Sequence, residues 1–145
     1  MVERSAKEVV ARFLADGWDR AAKRWDVDVI AECFDVDGYW SHTWEADLVE
    51  TGRRQGAFFR QFSPEREVLA DDLVAEGDLV VHRTTYRTRA TGEVLGVAGD
   101  DRPVTVNHIE MWRVTDGKIV EHWGGVGEAQ HLYAQLTSGA GERSK

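Results

Sequence analysis

Near the start of the chain, apolar residues recur at helical intervals as Val9, Val10, Phe13, Leu14 and Trp18. That period predicts an amphipathic helix running to about Arg24. Ser5-Ala6-Lys7-Glu8 ahead of it has the form of a capping box, in which a hydroxyl and a carboxylate satisfy the first free amides. Asp26 or Asp28 can cap a second, short helix carrying Val29, Ile30, Cys33 and Phe34, and Asp37-Gly38 breaks it. Tyr39 to Trp44 is rich in aromatic residues and predicts a short strand. Thr51-Gly52 is expected to precede a third helix bearing Ala57, Phe58, Phe59 and Phe62, which Ser63-Pro64 ends.

After Pro64 the helical period gives way to strand character. Arg66 to Glu76 reads as a strand leading to a turn at Glu76-Gly77-Asp78, and Leu79 to Arg89 is rich in Val, Thr and Tyr, as a long strand should be. The glycine-rich stretch Gly92 to Asp101 bends the chain back, and Val104 to Val114 and Lys118 to Val126 follow as two further strands. A last short helix is expected from about Glu128 to Leu136. Helices first and an antiparallel meander afterwards predict an α+β domain, with helices packed on one face of a curved sheet. We find no internal repeat and no linker, so residues 1–137 are read as one domain and 138–145 as a flexible C-terminal tail.

Composition narrows the function classes. The length of 145 residues favours one domain with a sizeable core. A formal net charge of -8 argues against binding a phosphate backbone, and Arg53-Arg54 sits beside acids as a solvated face. No apolar run approaches the roughly 20 residues of a membrane span, and the amphipathic start lacks the apolar centre of a secretory signal. The single cysteine, Cys33, cannot form an internal disulfide, so a cytoplasmic setting is expected; on a helix it reads as a small core residue rather than a nucleophile. Six tryptophans, Trp18, Trp25, Trp40, Trp44, Trp112 and Trp123, are many for this length. They fit a large core and a subunit interface, or the walls of a pocket for a flat polycyclic ligand.

The most informative local feature is Thr115-Asp116-Gly117-Lys118. Read as a three-residue hairpin loop with Gly117 at the left-handed position, it pairs Val114 with Lys118. The register then sets Trp112 against Val120, Glu110 against His122 and His108 against Gly124, all on one face. The opposite face takes Asn107, Ile109, Met111, Arg113, Ile119, Glu121 and Trp123. A carboxylate beside imidazoles within aromatic walls can take a proton from a carbon next to a carbonyl and return it. The alternative is an exposed cross-strand charge pair. His42, between Trp40 and Trp44, and His82, whose face the pattern does not fix, are further candidates for contact with a ligand. Neither has a recognised metal-ligand spacing, and the chain carries no nucleophile elbow, phosphate loop or dinucleotide glycine motif.

Two stretches, Val74-Ala75-Glu76-Gly77-Asp78-Leu79-Val80-Val81-His82-Arg83 and Asp116-Gly117-Lys118-Ile119-Val120-Glu121-His122-Trp123, resemble segments of the SnoaL-like polyketide cyclases, within the nuclear-transport-factor-two-like superfamily. Gln135-Leu136 is similar to the closing helix of that family. The resemblance implies a cone-like curved sheet closed by three N-terminal helices around a deep pocket. It also implies a homodimer packed through the outer face of the sheet, and no organic cofactor. The family's aldol-type cyclases carry an Asp directly after the Glu-His-Trp run and a His three residues before an Arg on the preceding strand. Here those positions hold Gly124 and Glu110, three before Arg113, so the carboxylate has crossed the hairpin. Gly99-Asp100-Asp101-Arg102-Pro103 also departs from the family's approach to its penultimate strand.

The expected function is a cofactor-independent, polyketide cyclase-like enzyme of secondary metabolism, of the kind found in antibiotic biosynthesis. It would act by acid–base chemistry on a hydrophobic polycyclic or polyketide-derived small molecule. Glu110 is the candidate general base, His122 its acid–base partner and His108 a polariser of the substrate oxygen, with Trp40, His42, Trp44, His82 and Trp112 as candidate substrate contacts. No metal, nucleic acid or membrane is expected as a partner. The rival reading is a protein that binds a hydrophobic metabolite without transforming it, and Gly124 in place of an acid favours it.

Overall fold

The computed structural model describes residues 4–125 and 128–138. Helix α1 spans Ala6–Asp16, and both halves of its capping box form: the Glu8 amide donates to Ser5 Oγ and the Ser5 amide to the Glu8 carboxylate. It ends well before Arg24. The Gly17 amide closes the helix on the Phe13 carbonyl, and a Cβ at position 17 would lie 2.5 Å from Phe13. The chain then forms a small hairpin of β1 (Trp18–Asp19) and β2 (Arg24–Trp25), which pairs Trp18 with Trp25. The Asp19 side chain accepts the Ala22 amide and holds the turn.

Helix α2 (Val27–Cys33) is capped by Asp26, which accepts from the amides of Asp28 and Val29. The short strand β3 (Trp40–Ser41) precedes α3 (Leu48–Phe59). Asp47 caps α3, so it begins ahead of Thr51-Gly52 and carries that pair inside it. Gly52 makes room there for Trp25; an added Cβ would lie 2.8 Å from its ring.

Strands β4 (Glu67–Glu76), β5 (Leu79–Ala90), β8 (Arg102–Thr115) and β9 (Lys118–Gly124) form the meander, with the small hairpin of β6 (Glu93–Val94) and β7 (Val97–Ala98) inside the glycine-rich stretch. The main sheet runs β3-β9-β8-β5-β4, antiparallel except where β3 lies parallel to β9. Helix α4 (Glu128–Thr137) lies along the part of β8 that β9 does not reach; Gln135 bonds both the amide and the carbonyl of Thr105. Residues 139–145, the greater part of the expected tail, lie outside the described residues, as does Val126 at the expected end of the last strand.

The hairpin between β8 and β9 differs from its expected form. Asp116 and Gly117, with φ of 50° and 74°, make a two-residue loop that pairs Thr115 with Lys118 and Val114 with Ile119. Positive φ at both loop residues matches the twist of the flanking strands, and Asp-Gly supplies it at low cost. A bulge then places Glu121, not Val120, opposite Arg113. His122 therefore pairs with Trp112, and Gly124 with Glu110. The extra residue restores the parity that the shorter loop had broken. His108, Glu110, Trp112 and His122 thus share the inner face, and Ile119 joins them in the core instead of facing outward.

Two apolar clusters hold the helices to the sheet. Val10, Phe13, Ile30, Phe34, Trp112 and Ile119 form one beneath α1 and α2. Phe62, Tyr86, Val106, Leu132 and Leu136 form the other, toward α4. Burying each such side chain contributes about 1.5–3 kcal/mol. Between the clusters the inner face of the sheet is left uncovered.

Candidate active site

A cavity of about 580 Å³ occupies that gap, bounded by α1, the Trp18–Trp25 hairpin, α3 and the inner face of β4, β5 and β8. Its aromatic walls are Phe13, Trp18, Trp25, Phe59 and Tyr86; Arg66, Asp71, His82, His108 and Glu110 supply polar groups. The size and the mixture suit a small organic ligand. Strand register explains the convergence. His82 pairs with Glu110 and Thr84 with His108 across β5 and β8, so alternate residues of both strands point inward together.

A hydrogen-bonded chain runs from the wall of this cavity into the core. His108 Nε2 lies 2.7 Å from Glu110 Oε2, and His122 Nε2 lies 2.8 Å from Glu110 Oε1. His122 Nδ1 is 2.9 Å from Ser41 Oγ, whose oxygen also accepts the Trp44 amide at 3.1 Å. The parallel pairing of β3 with β9 sets Ser41 directly against His122. An ionised carboxylate can only accept, so both Nε2 atoms carry a hydrogen toward Glu110. Burial raises the proton affinity of Glu110, but the charges and hydrogen bonds of His108 and His122 outweigh it and hold the carboxyl well below the usual range. His122 is 1% exposed and lies behind Glu110, while His108 and Glu110 both line the cavity.

The structure brings Glu110, His108 and His122 into one cluster, although Glu110 and His122 meet diagonally rather than as direct cross-strand partners. His82 also lines the cavity; it stacks on Trp112 with ring centroids 6.5 Å apart and is hydrogen-bonded to Asp71. Trp40, His42, Trp44 and Trp112 are not in the cavity wall. Ser41 points inward from β3, so Trp40 and His42 on either side of it point out. Trp40 is 44% exposed, and His42 stacks on Trp123 and bonds Glu121. Trp44 is half-buried beside the Ser41 turn, and Trp112 is sealed in the core against Phe13, His82 and His122.

Residue patterns did not single out Arg66, Asp71, Phe59, Tyr86 or Ser41. The turn at Gly77-Asp78 carries the signal for Asp71: closing it as a two-residue loop pairs Glu76 with Leu79 and Leu73 with His82, leaving Asp71 two residues from the histidine's partner. Among the described residues no group of three or more His, Cys, Asp or Glu side chains is arranged to hold a metal ion. No helix among them is long and apolar enough to cross a membrane.

The family model for SnoaL-like polyketide cyclases matches residues 8–136. Solved structures with the same fold include a protein of a Jannaschia species assigned as a SnoaL-like polyketide cyclase, 22% identical over 94% of each chain with a TM-score of 0.75. Another is IdmH of Streptomyces antibioticus, assigned as a polyketide cyclase. It is 24% identical over 92% of this chain and 99% of its own, with a TM-score of 0.68. AclR of Streptomyces galilaeus, assigned as a hydroxylase, is 23% identical over 92% and 81%, with a TM-score of 0.69. No curated protein matches the sequence.

Proposed function

Since the chain belongs to the SnoaL-like polyketide cyclase family, we propose that it is a cofactor-independent acid–base enzyme of secondary metabolism. Its substrate is a hydrophobic, polycyclic or polyketide-derived carbonyl compound held in the aromatic cavity. The observation that carries this reading is the Glu110–His108 pair in the cavity wall, 2.7 Å apart and backed by a buried imidazole. Glu110 and His108 act as one coupled unit that takes a proton from the carbon next to a carbonyl and later returns it. The enolate formed in between attacks a second carbonyl in a cyclisation, or is reprotonated elsewhere in an isomerisation. His122, with no access to the cavity, is a positioning residue: with Ser41 it fixes the carboxylate against His108.

Gly124 fits this arrangement. It pairs with Glu110, and a Cβ there would lie 2.6 Å from the Glu110 Cα and 2.9 Å from its Cγ. The acid that the family's aldol-type cyclases carry at this place has its counterpart directly across the hairpin, and the glycine makes room for it.

The rival reading, a carrier of a hydrophobic metabolite, is favoured by the low proton affinity of Glu110, which makes it a weak base. Incubation with a hydrophobic polyketide-like diketone separates the two. The enzyme reading predicts conversion that Glu110→Gln abolishes while binding persists; recovery of the unchanged compound with wild-type protein would favour the carrier. We further propose a homodimer packed through the outer face of the sheet, where Ile109 is 58% and Val74 63% exposed, and a cytoplasmic setting, which the single buried cysteine supports.

A further inference from the structure

The polar groups of the cavity are not all satisfied. Its two carboxylates are engaged by imidazoles, Asp71 by His82 and Glu110 by His108 and His122. Among the described residues, neither of its two arginines is engaged by an acid. Arg66, immediately before β4, lies with its guanidinium 4.4 Å from the centre of the Tyr86 ring and 5.7 Å from that of Phe59. Its Nε is buried with no hydrogen-bond partner among the described residues. Arg20, exposed at the edge of the cavity, forms no ion pair among those residues either. This is the reverse of what composition predicts, for a chain with 26 acidic and 18 basic residues has carboxylates to spare.

Holding even part of a guanidinium away from water without an anion is costly, and an arginine does not escape the cost by losing its proton. Burial and the nearby charge of Arg20 both disfavour the cation at Arg66. Two aromatic faces offset part of that cost through cation–π attraction, but they give the buried Nε–H no acceptor. Phe59 touches both Arg66 and His108, with ring centroids of 6.4 Å to the latter, so one ligand lying along Phe59 reaches both groups.

We propose that Arg66, assisted by Arg20, binds an anionic oxygen group of the substrate, a carboxylate above all, so that the ligand of this cavity is an aromatic or polycyclic acid rather than a neutral molecule. This rests on the reading of the cavity as the substrate site. The anion anchors one end of the ligand against Arg66 and sets its other end against Glu110 and His108.

The test is quenching of tryptophan fluorescence by two probes of the same shape, 2-naphthoate and its neutral analogue 2-naphthamide, with thermal unfolding as a check on the fold. The wild-type protein is expected to bind the acid at least about tenfold more tightly than the amide. Arg66→Gln should remove most of that preference through a weaker grip on the acid, and Arg66→Lys should keep more of it. Equal affinity of the wild type for both probes, or an undiminished preference in Arg66→Gln, would overturn the proposal while leaving the cavity reading intact. Failure of both probes to bind would overturn the cavity reading and this proposal with it.

Discussion

Replacing Gly124 with Ala tests the packing on which the candidate site depends. Gly124 has φ of +143°, in a region that disfavours any residue with a Cβ. The strain of such a backbone costs about 1–3 kcal/mol. The added Cβ would also lie 2.6 Å from both the Glu110 Cα and the Ile109 carbonyl oxygen, backbone atoms that cannot rotate away. Overpacking of this kind costs a further 1–3 kcal/mol or so. The sum, about 2–6 kcal/mol, corresponds to a loss of roughly 6–18 °C in Tm for a domain of this size. Gly77→Ala is the control, because Gly77 has φ of +62° with nothing within 4 Å of an added Cβ. It should lose only the conformational part, roughly 1–2 kcal/mol. Differential scanning calorimetry on both variants reads the difference. If Gly124→Ala is no less stable than Gly77→Ala, β9 is not packed against Glu110 as described, and the account of the site fails.

Three further outcomes follow from the same geometry. Gly52→Ala lies inside α3, where this exchange ordinarily gains about 0.5–1 kcal/mol; here the Cβ meets the Trp25 ring at 2.8 Å, so Tm should fall and tryptophan emission should change. A rise in Tm with unchanged emission would contradict the packing of Trp25 on that helix. Ser41→Ala leaves His122 Nδ1 without its buried partner, a loss of about 1–3 kcal/mol measured by urea unfolding, and an unchanged midpoint would count against the chain described. Folding lowers the proton affinity of Glu110, so its contribution is fully present above the ordinary carboxylate value near 4.5 and is lost as pH falls through the lower folded value. The Tm of the wild type should therefore fall on acidification below about 4.5 more steeply than that of Glu110→Gln, and parallel curves would refute the assignment.

Local chemistry made much of the fold legible. The capping box, the Asp26 cap and the valine-rich strands are short-range signals, and they form where the pattern put them. Helix ends were less legible: α1 stops where the chain turns into the Trp18–Trp25 hairpin, and Asp47 rather than a residue nearer Thr51 caps α3. The hairpin shows how two departures can cancel, since a shorter loop and a bulge together return Glu110 and His122 to the expected face. Strand alternation was enough to gather His108, Glu110 and His122. It could not say which tryptophans face the cavity, because Trp18 and Trp25 arrive there through a hairpin that breaks a helical pattern. Arg66 was invisible for a related reason: in sequence it stands between Glu65 and Glu67, and only the fold sets it against Phe59 and Tyr86.

If Glu110 and His108 move a proton on a bound carbonyl compound, proton exchange reads that step directly. 2-Tetralone in D2O, followed by proton NMR, reports loss of hydrogen from the carbon next to its carbonyl. Exchange should be catalysed by the wild-type protein and slowed about 10²–10⁴-fold in Glu110→Gln, with fluorescence-detected binding of the ketone retained. Exchange at the same rate in wild type and Glu110→Gln would contradict proton transfer by that pair.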